Sequence, residues 1–189
     1  MSDELIEALL SDADDRMKKS AETSREKLGT VRTGRASPAL LERVQVDYYG
    51  TLTPINQMAN IAAAEARLLT ISPYDKGSLP AIEKAIMDSD LGLTPSNDGN
   101  VVRIQIPELT EERRNEMVKQ ARNLAEEGRV AIRNVRRDIM HELKELRKSG
   151  DVGEDDEKRG EDDLQKLTDK HVGEVDGQLQ HKETDLLEV

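Results

Sequence analysis

Between Thr110 and Lys148, apolar or small residues recur at Met117, Ala121, Leu124, Gly128, Ala131, Val135, Ile139, Leu143 and Leu146. Steps of mostly three and four residues place these on one face of a helix. The stretch contains no proline and a single glycine, Gly128, so nothing in it breaks the helix. At about 1.5 Å per residue the helix spans roughly 55–60 Å, longer than most globular domains need. Residues 3–31 repeat the pattern through Ile6, Leu10, Ala13, Met17, Ala21, Ser24, Leu28 and Val31, with Gly29 and Gly34 marking the end region. A third stripe runs through Leu164, Leu167, His171, Val175, Leu179 and Leu186. Its helix begins near Gly153-Glu-Asp-Asp, after Ser149-Gly150, with acids in the first turns where the helix dipole favours them. Three amphipathic helices with narrow stripes can bury them only against one another.

Between the first and second helices the pattern changes. All six prolines and all three tyrosines fall between Arg35 and Pro107. Val44-Gln-Val-Asp-Tyr-Tyr49 alternates as a strand ended by Gly50, and extended stretches are expected near Thr51–Thr53, Asn60–Ala63 and Arg67–Ser72. Ser78 can cap a short helix with Pro80 in its first turn, carrying Ile82, Ala85 and Ile86 inward and stopping by Gly92. Asn97-Asp-Gly-Asn100 is a hairpin-turn signal and Val101–Ile106 alternates again. Pro107 then hands over to Thr110-Glu-Glu, a capped helix start. The fold class is therefore α+β. A long three-helix bundle formed by residues 1–33 and 107–189 carries an inserted small α+β domain, residues 34–106. Two short passages of chain, near Thr33-Gly34 and near Pro107, join the parts, which suggests a hinge more than a flexible tether.

Composition narrows the chemistry. There is no cysteine, hence no disulfide, thiolate metal site or thiol nucleophile. No apolar run approaches the ~20 residues of a membrane span, and the start, Met-Ser-Asp-Glu, has neither a secretory nor a transit pattern. A cytoplasmic protein is the default expectation. Phenylalanine and tryptophan are absent, so the core is aliphatic. His141, His171 and His181 lack metal-ligand spacing, and His171, on the apolar stripe, reads as a packed core-edge residue. No serine sits in a nucleophile elbow and no glycine-rich phosphate loop occurs. The acids between 151 and 163 match no calcium loop, and the acids of the insert, such as Asp47, Asp75 and Glu83, show no pairing of the kind a hydrolase needs. No catalytic residue, resident metal or cofactor is expected.

Charge changes the picture most. The net charge of −11 is concentrated in residues 151–189, where fourteen acids face five bases, whereas residues 108–150 hold eleven bases against nine acids. Within the long helix Arg122, Arg129, Arg133 and Arg136 lie within about 60° of one another, about a third of a turn from the apolar stripe, with Arg137 beside them. The run from Arg129 to Arg137 has four arginines and no acid, whereas a merely solvated face mixes signs. Without aromatic side chains the helices offer no platform for unpaired bases. The arginines are instead suited to phosphates of structured nucleic acid, as forked donors that position a protein without reading sequence. About four to six phosphate contacts would lose roughly two orders of magnitude in affinity between low and moderate salt. The same arginines would also serve a self-associating helical adaptor or chaperone with acidic partners.

Several motifs resemble the bacterial ribosome recycling factor family. They are Val31-Arg-Thr-Gly-Arg-Ala-Ser-Pro38, Tyr48-Tyr-Gly50 followed by Pro54, Glu83-Lys-Ala-Ile86 leading to Ser89-Asp-Leu-Gly92, Leu109-Thr-Glu-Glu-Arg-Arg114, Val130-Ala-Ile-Arg-Asn-Val-Arg-Arg137, and Glu154-Asp-Asp156 with Gln165-Lys-Leu-Thr-Asp169. They occur in the family's order from about residue 10 to the C-terminus. The resemblance implies an L-shaped, tRNA-like molecule, with a three-helix bundle and a β/α/β sandwich domain at a hinge. It implies a bundle that binds the RNA of the large ribosomal subunit after termination. The smaller domain is then the part engaged by elongation factor G, whose GTP hydrolysis separates the subunits. On this resemblance Arg32, Arg114, Arg129, Arg133 and Arg136 are RNA contacts. Thr33, Gly34, Arg35 and Pro107 lie at the hinge, GTP belongs to the partner factor, and the chain works as a monomer.

Overall fold

The computed structural model describes residues 2–188. The chain divides into two compact units: the residues up to Arg32 with Glu111–Glu188, and Thr33–Thr110. Thr33 and residues 107–110 therefore group with the inserted unit. The local contacts explain the second border. The Ile106 amide donates to the Arg67 carbonyl at 2.8 Å, and Glu108 pairs with Arg67 at 2.9 Å.

The first unit consists of α1 (Ser2–Gly29), α4 (Glu111–Ser149) and α5 (Glu154–Leu187), each packed on the other two. Glu111 and Glu112 open α4 and Arg147 and Lys148 close it, complementing the helix dipole at both ends. Gly150, at φ +83°, ends the helix, and the Asp151 amide reaches back to the Leu146 carbonyl at 3.0 Å. The core is aliphatic, with Ala13, Met17 and Ala21 facing Ala125, Ile132, Ile139 and Leu143, and with Leu164 and Val175.

The buried band of α4 is turned relative to the expected one. Ala125 and Ile132 are fully buried, whereas Leu124 and Ala131 are half-buried and line an open groove of about 380 Å³ between α1 and α4. A helix packed on two others must bury the directions of both, which moves its apolar centre by about 25° toward α5. On α5 the same effect buries Thr168, whose hydroxyl donates to the Leu164 carbonyl at 2.8 Å, and leaves Leu167 half-buried. Gly128 lies at the crossing of α4 with α1, where a Cβ would stand 2.7 Å from Ser24 Oγ and 2.8 Å from Ser24 Cβ. His171 is buried, 2% exposed, with Nε2 2.7 Å from an Asp14 carboxylate oxygen and Nδ1 3.0 Å from Glu174. The ring thus ties α5 to α1, and its bond holds the Asp14 carboxyl below its ordinary range.

The inserted unit has two antiparallel sheets. One pairs β1 (Gln45–Tyr48) with β2 (Thr51–Pro54), and the other runs in the order β3-β4-β6-β5, from Ala59–Glu65, Leu68–Pro73, Val102–Gln105 and Pro95–Asn97. A helical turn, α2 (Ile55–Met58), follows β2. Helix α3 (Leu79–Met87) contacts β1 of the first sheet and β5 of the second, so the core is a β/α/β sandwich around Ile82 and Ile86. Tyr49 and Gly50, at φ +50° and +83°, make the two-residue turn that joins β1 to β2. Ser78 holds the N-cap position of α3 as expected, but its side chain makes no cap bond, and the side-chain cap belongs to the 3-10 turn before it. Ser78 is already helical and donates its hydroxyl to the Asp75 carbonyl, while the Asp75 side chain accepts from the Gly77 amide at 2.9 Å.

Candidate nucleic-acid interface

The arginines of α4 follow from its geometry. A seven-residue step returns nearly to the same side of a helix, so Arg122, Arg129 and Arg136 form a row. The row runs along the edge of the buried band that faces α5. Because α4 and α5 are antiparallel, α5 presents its own seven-residue series in reverse. Arg122 Nε meets Glu183 at 2.5 Å and Arg129 Nε meets Asp176 at 2.7 Å. Arg129 also bonds Glu126 at 2.9 Å and is only 19% exposed. The bond to Asp176, helped by Glu126, raises the guanidinium further above its ordinary pKa. The same register one heptad on places Asp169 opposite Arg136, but Asp169 accepts instead from Gln165 Nε2 at 2.8 Å. Among the described residues Arg136 forms no ion pair, and its Nε is buried without a hydrogen-bond partner.

This corrects one reading of the sequence. The arginine run is free of acids in its own stretch, yet Arg122 and Arg129 are neutralised by carboxylates 61 and 47 residues away. Sequence reasoning missed Asp176 and Glu183. The signal that could have found them is the match of two heptad rows, 122-129-136 and 183-176-169. Arg133, beside the row, reaches Glu126 of its own helix at 3.3 Å, so among the described residues it and Arg136 have no ion-pair partner on α5. Arg114 is half-buried near the start of α4.

Arg32 is exposed just beyond α1. The residue before it is fixed from α5, where Lys182 Nζ donates to the Val31 carbonyl at 3.2 Å, and burial pushes that amine below its ordinary lysine range. Gly34 is buried at φ +76°, with Leu109 Cγ 3.2 Å from where a Cβ would stand, and the Thr33 hydroxyl accepts from the Arg35 amide at 3.4 Å. Pro107 is exposed, outside any helix or strand. Among the described residues no group of three potential metal ligands comes together, and no helix is long and apolar enough to cross a membrane.

Known proteins give this arrangement a context. The family model described as ribosome recycling factor matches residues 24–187. The ribosome-recycling factor of Rubrobacter xylanophilus is 56% identical over 180 residues, covering 95% of this chain and 97% of the other. That of Syntrophomonas wolfei is 57% identical over 185 residues, covering 98% and 100%. The solution structure of a ribosome recycling factor superposes with a TM-score of 0.76 at 40% identity, over 97% of this chain and 98% of that one. A second solved structure is the Thermus thermophilus factor, described together with Escherichia coli elongation factor G on the post-termination complex. It gives a TM-score of 0.66 at 46% identity over 96% and 98%. With a matching model over most of its length and relatives above half identity over 95% and 98% of it, the chain belongs to the ribosome recycling factor family.

Proposed function

We propose that this chain is a translation factor that binds the post-termination ribosome and, with elongation factor G and GTP, separates its subunits and frees mRNA and deacylated tRNA. The observation that carries the reading is the solved structure in which a relative of the same fold is bound, with elongation factor G, to a post-termination complex. The three-helix unit is the part that holds the RNA of the large subunit, through phosphates met by Arg32, Arg114, Arg129, Arg133 and Arg136. The inserted unit is the part the elongation factor engages. Thr33, Gly34, Arg35 and Pro107 lie by the two passages between the units, where a change of backbone angle lets one part move while the other stays bound. The chain does no covalent chemistry of its own. It holds no cofactor, GTP being spent by the partner, and it works in the cytoplasm.

Arg136→Glu tests the reading. The residue is half-buried at the rim of α4 and among the described residues has no ion pair to lose, so the helical content and urea midpoint should stay. Light scattering of post-termination ribosomes with elongation factor G and GTP should fall with the native chain and stay flat with the variant. A folded variant that splits ribosomes at the native rate removes the arginine row from the mechanism.

A further inference from the structure

The two closed rungs between α4 and α5 have a consequence for which polyanions the bundle accepts. An arginine that meets a phosphate ordinarily releases condensed counterions, and the slope of log affinity against log salt counts such contacts. Arg122 and Arg129 already carry counterions covalently attached to the chain, Glu183 at 2.5 Å and Asp176 at 2.7 Å. A phosphate arriving at either arginine must share the guanidinium with a carboxylate or displace it. The displaced group recruits cations from solution, which offsets the release. It also stays well within a Debye length, about 8 Å in physiological salt, and repels the phosphate. Arg136 differs, because its heptad counterpart Asp169 is held by Gln165.

Resting on the reading of the arginine row as the RNA-binding surface, we infer that Asp176 and Glu183 are specificity-determining residues: they mask Arg129 and Arg122 from flexible or isolated polyanions, so that only RNA whose folded shape holds several phosphates along the bundle at once displaces them. Arg136, which forms no ion pair among the described residues, makes the first contact. The masked pair closes only when neighbouring contacts hold the RNA in place. A chain of net charge −11 thereby keeps a row of arginines that does not collect single-stranded RNA.

The test compares binding of poly(U) and of salt-washed large ribosomal subunits across a salt series. The proteins are the native chain, Asp176→Asn, Glu183→Gln, the double variant, Asp169→Asn and Arg136→Glu. The double variant should bind poly(U) about tenfold or more tightly at low salt, with the salt slope steeper by about one to two. Affinity for the large subunit should rise less, so that the ratio between the two falls. Asp169→Asn removes the same charge from the same helix without breaking an ion pair to an arginine, so its effect on both affinities should be well below that of Asp176→Asn. Equal effects of Asp169→Asn and Asp176→Asn would reduce the result to net charge and overturn the inference. So would an unchanged poly(U) slope in the double variant while Arg136→Glu weakens subunit binding. If Arg136→Glu leaves subunit binding intact, the RNA-binding reading itself fails and the inference falls with it. Thermal melts of each variant confirm the fold, and either single substitution suffices if the double variant melts early.

Discussion

Gly128 of the helical unit and Gly50 of the inserted unit are needed for different properties of the same residue. Gly128 has ordinary helical backbone, and what matters is the missing side chain: a Cβ there would stand 2.7 Å from Ser24 Oγ, where α4 crosses α1. Gly50 has open space around it, with nothing within 4 Å of a Cβ, but adopts φ +83° in the β1–β2 turn. The helical unit is limited by how closely its rods approach. The inserted unit is limited by how sharply its chain turns, and Gly34, Gly92 and Gly99 join Gly50 on the left-handed side. Their bonding differs in the same sense. The helices are tied across their seams by Arg16–Asp138, Lys27–Glu127, Arg122–Glu183, Arg129–Asp176 and His171–Asp14, all separated by a hundred residues or by several tens. In the insert the carboxylates Asp47, Asp75 and Asp98 each accept from a backbone amide two or three residues on.

The sharpest break in that comparison is Gly128→Val. The branched side chain has no room against Ser24, and overpacking of this kind costs about 2–3 kcal/mol. Urea unfolding should show a lower midpoint. Adding Ser24→Gly should restore part of the loss, because the neighbour that must move is then gone. If the double substitution is no better than the single, the crossing is not what Gly128 serves.

The two units were legible in the sequence to different degrees for the same reason. Steps of three and four residues announce a helix and one apolar face, and all three long helices lie where those steps put them. Periodicity gives a face but not the number of partners packed on it. Hence Ala125 and Ile132 are buried in place of Leu124 and Ala131. It is also silent about partners distant in the chain, so the arginine row looked unopposed until α5 brought Asp176 and Glu183 to it. In the insert alternation marked β1 and β6, and the expected extended stretches fell on β2, β3 and β4. Strand β5 is three residues long and begins with Pro95, too short to alternate. Ser78 stands at the N-cap position of α3 but makes no side-chain cap bond, because a 3-10 turn, Lys76–Ser78, capped by Asp75, precedes the helix, and such turns leave no periodic trace.

A smaller effect separates the two units at Gly50. Gly50→Ala meets no atom but must hold a left-handed backbone, at a cost of about 1 kcal/mol. Gly50→Asn should recover roughly half of that, since asparagine tolerates this region better than alanine. Gly128→Asn should recover nothing relative to Gly128→Ala, because there the obstacle is volume. Denaturant midpoints for the four variants check the pairing. Equal costs for alanine and asparagine at Gly50 would show that backbone conformation is not the constraint.

The smallest expected effect concerns two carboxylates at acid pH. Asp98 is held down to about 2 from an ordinary 3.8, first by the Val101 and Asn100 amides and then by Arg103. Asp14 is lowered first by its bond to His171, with Lys170 adding to it. In both, the folded value lies below the unfolded one. Each therefore contributes stability that is complete above the unfolded pKa and disappears as pH falls through the folded value; for Asp98 that window runs from 3.8 down to about 2. The causes differ as the units do, one carboxylate held by its own turn and the other by a different helix. Carboxyl carbon titrations followed by NMR distinguish them. Arg103→Gln should leave Asp98 well below 3.8, because the turn amides remain. His171→Leu removes the side-chain bond and should bring Asp14 back toward its ordinary value of 3.8. An Asp98 that returns to the ordinary range in Arg103→Gln would mean that the insert, like the bundle, depends on a partner side chain and not on its turn.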